Sequence, residues 1–254
     1  MDSLVLARRT VTKMIRNPEQ FIDVTLQPIL MTVIFVFIFG GAIKGGTTEY
    51  LSFALPGIIV QTIMFTAMTI GVNLNTDLKN GVFDRFRSLP ISRSATLLGA
   101  VTGDIVRHTI AVSVALAFGV LIGFRFGTSW YEVLFAIALM ILFAVSLCWI
   151  SVFVGMLARS SGAVQGIWFL VVFPLTFGSS AFVPADTLPD WLQGWVSINP
   201  VTHVIETMRG LLVGTSQMAA GTSLPAEIGW VLASCAVLAG VFAPLATWAY
   251  RRKI

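Results

Sequence analysis

Residues 131–157, YEVLFAIALMILFAVSLCWISVFVGML, decide the class of fold, because they contain one charged residue, Glu132. About 20 mostly apolar residues are enough for a helix to cross a bilayer. Over the chain of 254 residues, 56% are hydrophobic and 11% are charged. A soluble domain carries roughly 25% charged residues. We therefore expect an all-α integral membrane protein formed by a single domain, residues 1–254, rather than a cytosolic enzyme or a secreted module.

Five further windows have the same character, so we predict six transmembrane helices, at residues 21–43, 51–73, 101–123, 131–157, 164–184 and 226–249. Of the sixteen Lys and Arg residues, three lie on one side of this arrangement: Lys44, Arg125 and Arg209. The other thirteen lie on the opposite side, and an excess of Lys and Arg marks the cytoplasmic side of a membrane protein. Both chain termini are therefore expected in the cytoplasm. Residues 226–254 would form the last span and the basic tail that follows it.

Two cytoplasmic segments have helical character. Residues 1–20 contain an apolar face at helical spacing with Arg9, Lys13 and Arg16 opposite it. This pattern is typical of a helix that lies in the membrane interface, and a solvated basic tail is the alternative. In the loop of residues 74–100, Leu78, Val82, Phe86 and Leu89 recur at helical spacing before Pro90, which predicts a short helix. Its apolar stripe would dock on a partner or pack on the ends of the protein's own spans.

The connection of residues 185–225 predicts a helical hairpin on the outer side. Asn199 followed by Pro200 is typical of a helix start, and the run that follows has about 15 residues, too few to cross the bilayer. Glu206 and Arg209 are three residues apart and are expected to pair on the polar side of that helix. A re-entrant or interfacial pair of short helices fits this segment.

Motifs for enzyme chemistry are missing from the sequence. It has no phosphate-binding loop, so ATP would have to be bound by another chain, and it has no zinc-protease or serine-hydrolase motif. Cys148 and Cys235 lie in apolar runs and are interpreted as packing residues, so we expect no metal site. Basic residues flank apolar segments rather than forming a soluble patch, so nucleic acid is not an expected partner.

Ionisable residues inside spans are the usual functional candidates in a membrane protein. Asp104, Arg107 and His108 lie near the cytoplasmic start of the third span. We interpret Asp104 and Arg107 as a structural pair rather than a proton relay. The absence of charges at the middle of the spans argues against an ion-coupled pump and suits an apolar or amphipathic substrate. Residues that could line its path are Gln27, Phe35, Gln61, Phe65, Trp168 and Phe173.

The cytoplasmic loop carries a family resemblance. Asp77, Gly81 and the run Asp84-Arg85-Phe86-Arg87-Ser88-Leu89-Pro90-Ile91-Ser92-Arg93 closely resemble the loop of type-2 ABC exporter permeases, especially the daunorubicin/doxorubicin-resistance subgroup. The first position of the motif is usually Glu in the family and is Asp77 here. A second match is Asn199-Pro200 with Glu206 and Arg209 before the last span, and the layout agrees over nearly the whole chain.

The resemblance implies a half-transporter without a nucleotide-binding domain. Two copies of the permease, a homodimer rather than a heterodimer, would pair with two separate P-loop ATPase subunits. Those subunits would bind Mg-ATP, so the chain alone would not be an enzyme. The residues of the coupling helix between spans 2 and 3 would be Asp77, Leu78, Gly81, Val82, Asp84, Arg85, Phe86, Leu89, Pro90 and Arg93. Those of the outer gate would be Asn199, Pro200, Glu206 and Arg209.

The function implied is outward movement of a drug, lipid or glycolipid across a bacterial cytoplasmic (inner) membrane, with multidrug or antibiotic resistance as a consequence. Two other functions stay open at this point. The first is a secondary transporter or channel that works without ATP, although the sequence has no internal repeat of the kind such transporters carry. The second is a membrane subunit that only anchors an ATPase.

Overall fold

The computed structural model describes residues 12, 18–43, 46–81 and 93–253. These residues form eight α-helices and two short 3₁₀ turns, Ala185–Thr187 and Thr215–Gln217, and the described part of the chain has no strand. The helices are α1 (Pro18–Ile43), α2 (Thr47–Lys79), α3 (Arg93–Leu121), α4 (Trp130–Leu157), α5 (Ser161–Phe177), α6 (Asp190–Ile198), α7 (Pro200–Leu212) and α8 (Leu224–Lys253). The expected all-helical class is confirmed.

Four of the six predicted windows lie in helices that are long and apolar enough to cross a membrane. These helices are α2, α4, α8 and the part of α3 from Leu97 to Leu121. The other two windows fall on α1 and α5, where the apolar helical stretches found among the described residues are Val24–Gly40 and Ser161–Phe177. The 17 residues of α5 span about 26 Å at 1.5 Å per residue, slightly less than the hydrocarbon core of roughly 30 Å.

The helix α2 extends further toward the predicted cytoplasmic loop than its window at 51–73. It ends at Lys79, where the Asn80 N–H donates to the Thr76 carbonyl at 3.0 Å and Gly81 adopts a positive φ of 67°. Glycine tolerates this left-handed conformation, which commonly ends a helix. The prediction that one short helix carries the repeat from Leu78 to Leu89 is therefore wrong at its first residue, because Leu78 belongs to the last turn of α2. Of the predicted loop 74–100, residues 74–79 belong to α2 and residues 93–100 to α3, and residues 82–92 lie outside the described part of the chain.

The helix α2 forms the centre of the bundle and contacts α1, α3, α4, α5 and α7. In its most apolar window 83% of the residues are buried, whereas the corresponding value is 11% for α8. An α-helix that is buried on nearly all sides has neighbours all around it. The helix α2 therefore packs against five of the seven other described helices.

The helices α2 and α4 approach each other through small residues. The Gly71 N–H donates to Ser151 Oγ at 3.1 Å, and a Cβ added to Gly71 would lie 2.3 Å from the Ser151 carbonyl oxygen. Asn75 Nδ2 donates to the carbonyls of Gly155 at 3.0 Å and Ala158 at 2.8 Å. Small residues allow such backbone contact between membrane helices, and these bonds fix α2 against the last turn of α4.

Candidate functional site

The start of α7 is fixed by Asn199, as the Asn-Pro pattern predicts. The Asn199 side-chain oxygen accepts from the Val201 N–H at 2.9 Å, and Pro200 occupies the first helical position. The amide nitrogen of Asn199 donates to the carbonyls of Leu175 and Gly178, each at 2.8 Å. The carbonyls at a helix end have no partner within the helix. Asn199 therefore caps α7 and at the same time satisfies carbonyls at the end of α5.

Glu206 and Arg209 form the predicted ion pair, with Glu206 Oε1 and Arg209 Nη1 separated by 2.5 Å. Their position differs from the expectation of a polar outer face, because both side chains are at most 2% exposed. The α7 helix packs between α2, α4 and α8, so the face that the sequence presents as polar is turned into the protein. A buried ion pair needs additional hydrogen bonds to offset the loss of hydration.

Those bonds come from segments far away in the sequence. Arg209 Nε donates to the Phe53 carbonyl of α2 at 3.0 Å, and its guanidinium carbon lies 3.7 Å from the centre of the Phe53 ring. Arg209 also donates to the hydroxyl and the carbonyl of Ser180, in the turn after α5. Glu206 accepts from Ser180 Oγ at 2.7 Å and from the Ala219 N–H at 2.9 Å. We call these five residues the outer cluster.

The outer cluster joins α2, α7, the turn after α5 and the segment before α8 at the end of the bundle that the sequence places outside. Burial lowers the pKa of the Arg209 guanidinium to about 10, against the opposing effect of Glu206. Arg209 therefore remains protonated at neutral pH and keeps its charge-assisted bonds. The arrangement is a closed polar contact rather than a group poised for proton transfer.

A cavity of about 590 Å³ lies beside the outer cluster. Its walls include Glu206 and Arg209 together with His203 and Glu227, which the sequence analysis did not single out. His203 Nδ1 lies 2.7 Å from Glu227 Oε2, and the imidazole stacks on Trp230 with ring centres 5.2 Å apart. His203 lies three residues before Glu206, so helical spacing indicates that the two share one face of α7. The sequence gives no such signal for Glu227, which is 24 residues after His203 and lies on α8.

The predicted coupling residues are described only in part. Asp77 and Leu78 lie in the last turn of α2, and Gly81 ends that helix. The described residues continue from Arg93, at the start of α3. Val82, Asp84, Arg85, Phe86, Leu89 and Pro90 lie outside the described residues, as do Arg9, Lys13 and Arg16 of the predicted interfacial helix.

The residues proposed to line a path differ in burial and in the side chains that they contact. Trp168 is buried and donates through Nε1 to the Met64 carbonyl at 2.8 Å. Phe35 stacks on Phe182 with ring centres 4.0 Å apart. Gln61 is buried within α2 and Gln27 is half-buried on α1, whereas Phe173 is exposed on α5. Phe65 is partly buried and packs against Phe169. Their role as path residues stays a prediction.

A second polar cluster lies between α3 and α4. Arg107 Nη1 and Asp104 Oδ1 are 2.9 Å apart, which confirms the structural pair expected from their spacing. His108 Nε2 lies 3.5 Å from the other carboxylate oxygen, Asp104 Oδ2. Cys148 Sγ lies 3.6 Å from the same oxygen and 3.5 Å from His108 Nε2. Cys148 is thus part of a buried polar group, which corrects its interpretation as an ordinary packing residue. We call these four residues the inner cluster.

Comparison with known proteins assigns the family. The family model described as ABC-2 type transporter matches residues 2–213. The daunorubicin resistance ABC transporter permease protein DrrB1 of Streptomyces coeruleorubidus is 39% identical over 236 residues, 93% of this chain and 81% of that protein. The probable doxorubicin resistance ABC transporter permease protein DrrC of Mycobacterium tuberculosis is 25% identical over 255 residues, 99% and 88% of the two chains. The putative transport permease ycf38 of Cyanophora paradoxa is 28% identical over 214 residues, 83% and 73% of the two chains.

The chain therefore belongs to the ABC-2 type transporter family, as its cytoplasmic loop indicated. It is an integral membrane protein and a permease subunit of an ABC transporter. Because the relatives are permeases, the chain is a transport subunit and not itself an enzyme, and its family implies an ABC ATPase as partner.

Proposed function

We propose that the chain is the membrane subunit of an ATP-driven exporter that moves an apolar or amphipathic substrate, such as a drug, lipid or glycolipid, outward. The observation that carries this proposal is the 39% identity, over 93% of the chain, to a daunorubicin resistance permease. The drug named there makes a daunorubicin-like compound the first substrate to test. A separate ATPase would bind Mg-ATP and drive the cycle.

The proposed topology has six spans with both termini in the cytoplasm of a bacterium and the protein in the inner membrane. The helices α1 and α5 would supply the two remaining spans. Both carry large exposed apolar side chains, among them Phe37 on α1 at 61% exposure and Leu170 on α5 at 77%. Apolar patches of this kind mark contacts with lipid or with another protein. A second copy of the permease would cover part of this surface, and two ATPase subunits would complete the complex.

In the proposed mechanism, α2 links the ATPase to the outer cluster. Its last turn holds Asp77 and Leu78, next to the loop that would dock on the ATPase. Its opposite end holds Tyr50, whose hydroxyl donates to the Phe182 carbonyl at 3.1 Å, and Phe53, whose carbonyl accepts from Arg209. The ATPase can shift the permease only through contacts that differ between its own two states. Residues 77–93 would make those contacts.

The outer cluster would keep the exit closed in the resting state. Arg209 holds α7 to the Phe53 carbonyl of α2 and to the Ser180 turn at once. A displacement of α2 relative to that turn must break one of these two sets of bonds. Opening would therefore be coupled to α2, and the energy needed would come from ATP binding or hydrolysis on the partner.

Uptake into inside-out membrane vesicles that contain the permease and its ATPase tests the proposal. We expect daunorubicin to accumulate only with hydrolysable ATP. Phe86→Asp should abolish this accumulation by placing a charge on the predicted docking stripe, while Phe86→Leu, which keeps the stripe apolar, should retain it. Folding of both variants is compared by size-exclusion profile and helical circular dichroism.

Two outcomes would contradict the proposal in different ways. Normal accumulation with Phe86→Asp would remove residues 77–93 from the mechanism. Accumulation driven by an ion gradient without ATP would favour the secondary transporter instead.

A further inference from the structure

We propose that Asp104, His108 and Cys148 of the inner cluster form a binding site for a zinc ion that joins α3 to α4. Asp104 and His108 are four residues apart on α3 and therefore lie on one helix face. Cys148 faces them from α4, and the three side chains are at most 1% exposed. Carboxylate oxygen, imidazole nitrogen and thiolate sulfur are the three ligand types that proteins use for zinc.

The distances between the three donor atoms fit one tetrahedral ion. Asp104 Oδ2, His108 Nε2 and Cys148 Sγ form a nearly equilateral triangle with sides of 3.5, 3.5 and 3.6 Å. Zinc bonds of about 2.3 Å to sulfur and 2.0–2.1 Å to nitrogen or oxygen, at tetrahedral angles, place ligand atoms about 3.4–3.6 Å apart. The donors therefore stand where one face of a zinc tetrahedron requires them.

The groups around the triangle support this assignment. Arg107 binds the first carboxylate oxygen, Asp104 Oδ1, and so leaves Oδ2 directed at the imidazole and the thiol. Ligating carboxylates are usually held in this way by an outer partner. His108 is fully buried, and its Nδ1 atom has no hydrogen-bond partner among the described residues. The ring is therefore shielded from bulk water, and Nε2 is the nitrogen that faces Asp104 Oδ2 and Cys148 Sγ.

Zinc binding would replace the Cys148 thiol proton by a Zn–S bond, and the proton would be released to solvent. With three protein ligands, the fourth position is open to water, hydroxide or chloride. The charges of zinc and Arg107 exceed those of the Asp104 carboxylate and the Cys148 thiolate by one, so either anion would make the site neutral. The ion would bind α3, the helix that follows the cytoplasmic loop, to α4. The existence of this link between the two helices does not depend on the transport function proposed above.

The first test measures zinc in the full-length protein, purified in detergent from cells grown with added Zn²⁺ and dialysed before elemental analysis. We expect zinc in a ratio of one ion to one chain. Cys148→Ala and His108→Gln should each retain less than about one tenth of this zinc, because loss of a ligand weakens binding more than loss of an outer partner, which alone costs 10–100-fold. Cys235→Ala is the matched control, because it removes the chain's only other cysteine and should leave the zinc content unchanged.

The second test uses Co²⁺ as a spectroscopic probe in the metal-free protein. A thiolate ligand gives a near-ultraviolet charge-transfer band, and tetrahedral cobalt gives intense visible bands. We expect both in the unmodified protein and in Cys235→Ala, and neither in Cys148→Ala. Absence of zinc and of cobalt bands from the unmodified protein would overturn the proposal even if a variant fails to fold. Bands that persist in a folded Cys148→Ala protein would also overturn it.

Discussion

Removal of both charges of the Glu206–Arg209 pair should destabilise the protein no more than removal of one. Glu206→Gln leaves Arg209 as a buried cation without its counter-charge, at 1% exposure. It also replaces one of the two carboxylate oxygens that accept hydrogen bonds from Ser180 and Ala219. Breaking a buried pair in this way costs about 3–5 kcal/mol. Arg209→Met leaves the Glu206 carboxylate unpaired and should cost a similar amount.

The double variant Glu206→Gln/Arg209→Met carries no buried charge. Replacement of a buried ion pair by uncharged groups is often close to neutral, so the double variant should lose no more stability than either single variant. Independent effects would instead add to about 6–10 kcal/mol, twice the single cost. The coupling energy of the cycle should therefore be about 3 kcal/mol or more, at the upper end for residues in direct contact.

Reversible denaturant unfolding in detergent, followed by circular dichroism, measures these differences in the free energy of unfolding. Glu132→Gln is the matched control, because Glu132 is the acceptor of an exposed capping box with Ser129, where Gln also serves. It should change stability by less than about 1 kcal/mol. Two results would refute the buried-pair argument. One is a change in the free energy of unfolding in the single variants as small as that of the control, and the other is a loss in the double variant equal to the sum of the two single losses.

Two further changes test the packing that positions the outer cluster. Gly71→Ala should separate α2 from α4 and lower the unfolding temperature, because the added Cβ would lie 2.3 Å from the Ser151 carbonyl oxygen. The control is Gly240→Ala, which has open space around it and should leave the unfolding temperature unchanged. Equal thermal stability of the two variants would contradict this. Asn199→Asp keeps an acceptor for the α7 start but removes both donors to the α5 carbonyls, so denaturant unfolding should show a loss of about 2–6 kcal/mol, at 1–3 per unsatisfied carbonyl. Ser160→Ala, which removes only the cap of α5, should cost about 0.5–2 kcal/mol, and a loss at Asn199 no greater than this would be evidence against its second role.

Local features of the fold were readable from the sequence because they depend on neighbouring residues. The Asn199-Pro200 start of α7 rests on a cap and a fixed φ, and the structure confirms it. The four clear spans follow from hydropathy over windows of about 20 residues. The Glu206–Arg209 pair follows from helical spacing alone.

Features that depend on distant parts of the chain were not readable in this way. The burial of Arg209 rests on Phe53, 156 residues away, and on Ser180, 29 residues away. The contact of Cys148 with His108 joins residues 40 positions apart, so no spacing motif announces it. The end of α2 differs from these, because its Asn80-Gly81 stop signal is local but competes with the apolar repeat that runs from Leu78.

Co-purification from native membranes, with partner proteins identified by mass, tests the central claim most directly. The claim is that this permease is driven by a separate ATPase. We predict a P-loop ATPase in roughly equal amount with the permease, recovered in a detergent that keeps the permease folded. Complete absence of any ATPase under those conditions, with the permease intact, would contradict the account and favour transport without ATP.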